Sequence, residues 1–181
     1  MKTKLRMILN LLLLSLGMMT HFACTSNTPH QERVRALLEG YEWKLEAKRF
    51  QQLPENTDLE LMAIIKDSKS QPAYYQFRAL TALRLYPNTR VAHFFEQYLK
   101  QNEPPTRLRR ALESYGIAFS SNFPEQVERI SGNFLKHPDA HLRIAAARIL
   151  KKMNRQTSRQ LLEQYLTQET EKWIHQAIGE K

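Results

Sequence analysis

The feature that most constrains this chain is self-similarity at steps of 31 to 36 residues, carried by two interleaved series. In the first, an apolar residue followed by arginine stands near the start of a helical stretch: Phe77-Arg78, Leu108-Arg109 and Leu142-Arg143, spaced by 31 and 34. Proline precedes each, at Pro72, Pro104-Pro105 and Pro138. In the second, Ile64-Ile65-Lys66, Tyr98-Leu99-Lys100, Phe134-Leu135-Lys136 and Tyr165-Leu166-Thr167 close the alternate helices at steps of 34, 36 and 31. Phe94-Phe95-Glu96-Gln97-Tyr98-Leu99 is nearly echoed by Leu161-Leu162-Glu163-Gln164-Tyr165-Leu166. At this period each unit is one supersecondary motif that cannot bury its apolar face alone, so a stack of units must make the core.

The units are helical. Leu142, Ala145, Ala146, Ile149 and Leu150 follow i, i+3, i+4, i+7, i+8 and form one apolar stripe. Only five of 181 residues are glycine, and Leu, Ala, Gln, Glu and Arg are common, which favours helix over strand. The spacing predicts an all-α chain in which 71–86 pairs with 88–101, 105–118 with 122–136, and 138–153 with 157–168, followed by a last helix over 171–178. Ahead of them, Val34, Leu37, Leu38, Tyr41 and Leu45 predict one long capping helix over 31–53, and Asp58 reads as the N-cap of a helix running to Lys66. Loops fall at Tyr86-Pro87-Asn88, 120–124 and 153–157, where Pro, Asn and Ser stop helices.

The apolar-Arg-x-x-x-Ala/Leu pattern after a Pro- or Asp-containing turn, with a shorter second helix, resembles HEAT repeats of the short bacterial kind. It covers about 57–178 and is strongest over 137–151; Arg84 and Gly116 stand where the third unit has Ile149 and Leu150. The resemblance implies a short α-solenoid. Tetratricopeptide-like repeats share a period near 34 and remain the alternative fold. It also implies a structural role for Arg78, Arg109 and Arg143, each pairing with an acid of a neighbouring turn, where Asp67, Glu103 and Asp139 stand.

Residues 1–23 read as an export signal: Lys2, Lys4 and Arg6 precede an apolar run from Met7 to Met19, shorter than the roughly 20 residues a membrane-crossing helix needs. The single cysteine, Cys24, follows His21-Phe22-Ala23 and precedes the polar Thr25-Ser26-Asn27-Thr28-Pro29. A lone thiol in an exported chain cannot form an internal disulfide. The arrangement resembles the lipobox of bacterial lipoproteins, with His21 where an aliphatic residue is usual. That resemblance implies acylation at Cys24 and a place in the cell envelope; Thr25 after the cysteine implies, by the same resemblance, the outer membrane, facing the periplasm. Composition and length add a polar tether over 24–30 and a single domain over 31–181.

The net charge of +9 falls to +6 without Lys2, Lys4 and Arg6. Its distribution is uneven. First helices carry Arg107, Arg109, Arg110, Arg143, Arg148, Lys151 and Lys152, whereas second helices mix signs, with Arg90 against Glu96, Arg129 against Glu125 and Glu128, and Arg159 against Glu163. Second helices usually line the concave side of a solenoid, so a near-neutral groove is expected on 90–100, 126–133 and 159–166. Arg90, His93, Phe95, Gln97, Arg129, Arg159 and Glu163 are its candidate partner-binding residues, and the basic opposite face suits anionic lipid head groups. Trp43 and Trp173 stand near the two ends of the array, where they are expected to seal the core.

Catalysis lacks its minimal parts. The glycines are isolated, so there is no phosphate-cradling loop, and no Gly-x-Ser-x-Gly elbow occurs. His137 and His141 have i, i+4 spacing, but Pro138 between them places His137 before the first helical turn, and no third ligand is near in sequence. No metal, cofactor or catalytic residue is expected beyond the lipid on Cys24. The reading is a membrane-anchored, non-enzymatic scaffold or adaptor binding an envelope protein, with a pilotin-like assembly factor as one form of it. A HEAT-like lyase or a basic nucleic-acid-binding module stands as the alternative.

Overall fold

A computed structural model describes residues 28–67 and 72–179. The expected signal segment, Cys24 and the tether up to Asn27 lie outside the described residues. Those described are all-α, with ten helices and no strand: α1 Pro29–Leu38, α2 Ala47–Gln51, α3 Thr57–Lys66, α4 Ala73–Leu83, α5 Thr89–Tyr98, α6 Pro105–Phe119, α7 Pro124–Phe134, α8 Ala140–Met153, α9 Gln156–Gln168 and α10 Lys172–Ile178.

Helix starts follow local chemistry. Thr28 and Gln31 form a capping box at α1, Asn88 accepts the Val91 N–H at α5, and Asp139 accepts the Leu142 N–H at α8. Pro105 and Pro124 open α6 and α7, where a missing N–H costs nothing. α8 ends on Asn154 in the left-handed region (φ 52°), whose N–H returns to the Leu150 carbonyl.

Two expectations at the N-terminal end are corrected. The long helix over 31–53 is two helices, because Gly40 adopts φ +100° just past α1 and the chain turns before α2. The open carbonyls at the end of α1 are then taken up from a distance: Trp43 donates its indole N–H to Leu37 O at 2.8 Å, and Arg78 donates to Leu38 O at 2.6 Å and Gly40 O at 2.8 Å. Asp58 is not a cap either. It lies inside the first turn of α3, wholly buried, and accepts from Arg90 and Asn88 of α5.

Helices α4, α6, α8 and α10 pack in succession, and α3, α5, α7 and α9 lie against that row. Two of the expected pairings are displaced by one helix, since α3, α5 and α7 each pack chiefly on the helix that follows, α4, α6 and α8; the third holds, with α9 packed on α8. Aromatic packing gives the reason for the middle pair. Phe95 of α5 lies 6.1 Å and 6.4 Å, ring to ring, from Tyr115 and Phe119 of α6, and all three are buried. One apolar cluster runs from Val34 to Ile178. At its far end Ile174 and Ile178 close the core, while Trp173 is 44 % exposed and leans edge-on to His141, so this tryptophan does not seal the array as expected.

Two polar locks tie helices of the second set, one joining α3 to α5 and the other α7 to α9. Asp58 of α3 accepts from Asn88 at 3.0 Å and from Arg90 at 2.7 Å at the start of α5. Seventy residues on, buried Glu128 of α7 accepts from Ser158 of α9 at 2.7 Å and from Arg155 just ahead of it at 3.1 Å, while Arg155 also reaches Glu125 at 2.6 Å.

Candidate functional site

The face formed by α3, α5, α7 and α9 carries a chain of adjoining clefts. Between α3 and α5 a cleft of about 540 Å³ is floored by Met62, Ile65 and Phe94 and edged by Lys66, His93 and Gln97. A second, of about 270 Å³, lies between α5 and α7, with Leu99 and Ile130 below and Arg129 and Asn133 at the edge. A third, of about 420 Å³, follows between α7 and α9 beside Leu161, Gln164 and Tyr165, and a shallower one of about 400 Å³ flanks α9 at Arg159, Leu162 and Glu163. The first two share Gln101, and the second and third share Arg129 and Asn133, so they form a continuous depression along the molecule.

The residues expected in the groove divide into free and committed groups. His93, Gln97, Arg129 and Glu163 are exposed and line clefts. Arg90 also lines the first cleft, but its guanidinium is engaged with Asp58, so it presents only its outer side, 53 % exposed, to a partner. Arg159 reaches back to Asn154, donating to its main-chain oxygen at 2.9 Å and its side-chain oxygen at 3.2 Å, which ties down the end of α8. Phe95 is corrected: it is wholly buried in the aromatic cluster, and its neighbour Phe94 lines the cleft, stacked on Tyr98 at 5.9 Å and capped by the Lys66 ammonium at 5.8 Å. Two adjacent aromatics on one helix point about 100° apart, and the sequence alone does not say which one faces inward.

The three arginines expected to join neighbouring units have three different roles. Arg143 sits 15 % exposed between the turn ahead of α8 and the one after α9: it donates to His137 O, to Pro138 O, to Glu169 at 3.0 Å and to Glu171 at 3.1 Å. Its acid is therefore not Asp139, which caps its own helix. Arg78 pairs with carbonyls rather than with Asp67, and its guanidinium lies over the Tyr74 ring at 4.6 Å. Among the described residues Arg109 meets Glu113 of its own helix, at 4.0 Å on the surface, so its expected pairing with Glu103 is corrected. Glu103 instead holds Arg107, two residues earlier, and Arg107 donates to Gln76 at 2.5 Å, whose amide in turn reaches Asp67 O.

Burial shapes the electrostatics of these contacts. Burial alone would raise the Asp58 carboxyl, but hydrogen bonds from Asn88 and Arg90 hold it below the usual carboxylate range. Glu169 is held low in the same way, against its burial, by Tyr165, the Glu171 N–H and Arg143. Tyr98, beneath the first cleft, is pushed up to about 12 by burial and then by the Glu103 carboxylate, so its hydroxyl is neutral at physiological pH.

His137 accepts the Asp139 N–H on Nδ1 and stacks on Phe134, whereas His141 faces Trp173. No cluster of three His, Cys, Asp or Glu that could hold a metal occurs among the described residues. Nor is any described helix long and apolar enough to cross a membrane. Comparison of the chain with protein-family models, curated proteins and solved structures finds no match in any of the three.

Proposed function

We propose that this chain is a non-enzymatic envelope adaptor: a HEAT-like array, held to a membrane by acylated Cys24, that docks a segment of a partner protein along the depression on α3, α5, α7 and α9. The continuity of that depression is the observation that supports the reading. Apolar floors under Phe94, Leu99, Ile130 and Leu161, with His93, Gln97, Asn133 and Gln164 at the edges, suit an extended or helical segment that inserts apolar anchors and pairs its polar groups at the rim. The rim mixes signs, with Lys66 and Arg129 against Glu96 and Glu163, so shape and apolar anchors rather than net charge would select the partner. The interlocks Asp58–Arg90 and Glu128–Arg155 fit a stiff surface that binds without reorganising.

The polar locks and the parallel course of α4 and α6 fit an array of stacked helical units, and the apolar-Arg pattern after each Pro- or Asp-containing turn favours the HEAT-like form of it over a tetratricopeptide-like one. Gln76 meets Arg107 and Arg84 faces Arg110 and Glu113, so equivalent helices run side by side about one period apart.

Chemical crosslinking in the native cell, with identification of co-purified proteins, tests this reading. One specific partner should be recovered from wild type and from Arg109→Ala, and lost when Gln97→Arg and Asn133→Arg are combined. Cys24→Ser should lose acyl labelling and leave the membrane fraction. Equal recovery from the groove variant would remove the groove, and membrane retention of an unlabelled Cys24→Ser chain would remove the anchor.

A further inference from the structure

The second surface of interest lies across the row, between α6 and α8. A cleft of about 470 Å³ there is lined by Gly116, Ile117, Ile149 and Met153, with Arg148, Lys152, Glu113 and two serines at its edge. Ile117 is 55 % exposed, on the side of α6 turned away from buried Leu112, Tyr115 and Phe119. Cations outnumber acids around it. Glu113 is shared by Arg109 at 4.0 Å and Arg110 at 3.6 Å, and it faces Arg84 as well. Arg148 spends its guanidinium on the Ala177 carbonyl, and among the described residues no acid pairs with it. Burial first and then Arg110 draw Arg84 below its usual value, with Glu113 opposing, so Arg84 lies within reach of both charges.

We propose that this cleft and its ring of cations form a membrane-docking face that takes anionic phospholipid: head-group phosphates against Arg84, Arg110, Arg148 and Lys152, and the acyl border against Ile117, Ile149 and Met153. An aliphatic centre inside a cationic rim matches an interface in which apolar depth and negative charge lie side by side. A nucleic-acid backbone offers the charge but nothing for Ile117 to enter.

α4 and α6 are parallel, which puts the Arg84 end of α4 beside Arg110 and Glu113 of α6, next to the turn that bears Ile117. That an acylated Cys24 would hold the chain at the bilayer rests on the anchored reading above; the charge and apolar pattern do not.

The test uses the full acylated chain carrying Ile117→Trp, reconstituted with vesicles of phosphatidylcholine alone or with added phosphatidylglycerol, each with bromine on the acyl chains. Flotation reports the anchor, and quenching of the added tryptophan, measured against the parent chain with Trp43 and Trp173, reports the face. Floating with both vesicles, a severalfold greater loss of the added emission on the anionic ones, and restoration of that emission by Arg110→Glu with Lys152→Glu are expected. Flotation with both vesicles and no quenching would overturn the proposal and leave the anchor intact. Flotation and quenching on anionic vesicles alone would support the face and remove the anchor. Flotation with neither would remove both. A response to a short DNA duplex in place of anionic vesicles would reassign the face to nucleic acid and overturn the proposal.

Discussion

At the scale of single residues, identical letters in a repeated pattern hold different offices. Arg143 compensates Glu169, which is only 7 % exposed, so Arg143→Leu strands a buried carboxylate and should cost about 3 kcal/mol in chemical denaturation. Arg109 pairs at the surface of its own helix, and Arg109→Leu should change stability by less than about 1 kcal/mol. Phe95→Ala opens the aromatic cluster and should cost about 3 to 5 kcal/mol, whereas Phe94→Ala should spare most of the fold and weaken partner recovery. Acid tests the locks together. Asp58 and Glu169 have folded values below their unfolded ones, so their stabilisation is complete above the usual carboxylate range and is lost as pH falls through the folded values. Melting temperature should therefore drop below about pH 4, and by less in Asp58→Asn, which has already lost one titrating group. The arginine series was legible as a pattern, but which of Arg107, Arg109 or Arg110 reaches a neighbour depends on side-chain direction around the helix. Asp58 carried the same signal as an N-cap, an acid ahead of an apolar run, and only the fold brings Asn88 and Arg90 over it.

At the scale of elements, most helix bounds could be read from apolar period, proline and caps, because those signals act within a few residues. The failure at 31–53 shows the limit of that locality. Gly40 looked like one more isolated glycine, yet its positive φ ends α1, and the carbonyls it opens are satisfied by Arg78, about forty residues away. Gly116 also looked like a lapse in the repeat. A Cβ there would stand 2.8 Å from the side chain of Ile149, so the glycine sets how closely α6 and α8 approach. Gly116→Val should force the two helices apart and cost about 1 to 3 kcal/mol despite the better helix propensity of valine, read as a lower denaturant midpoint. Combining it with Ile149→Ala should recover part of that loss, since the clash is with that side chain.

At the scale of the whole molecule, period alone implied stacked helical units, and the described helices do pack in a row with a second set against it. The displaced pairing of α5 with α6 was out of reach, because period fixes the repeat but not which neighbour shares the larger apolar face. The groove was legible as a set of helices and not as a surface: the committed Arg90 and Arg159, the buried Phe95 and the cleft-lining Phe94 follow from packing alone. Site-specific photocrosslinking in the native cell tests the central claim most directly, with the photoreactive residue placed in turn at Gln97, Asn133 and Gln164 along the depression and at Lys172 away from it. Adducts of one and the same partner at the three groove positions, and none at Lys172, are the expected result; groove positions that give no protein adduct, while Lys172 does, would contradict it.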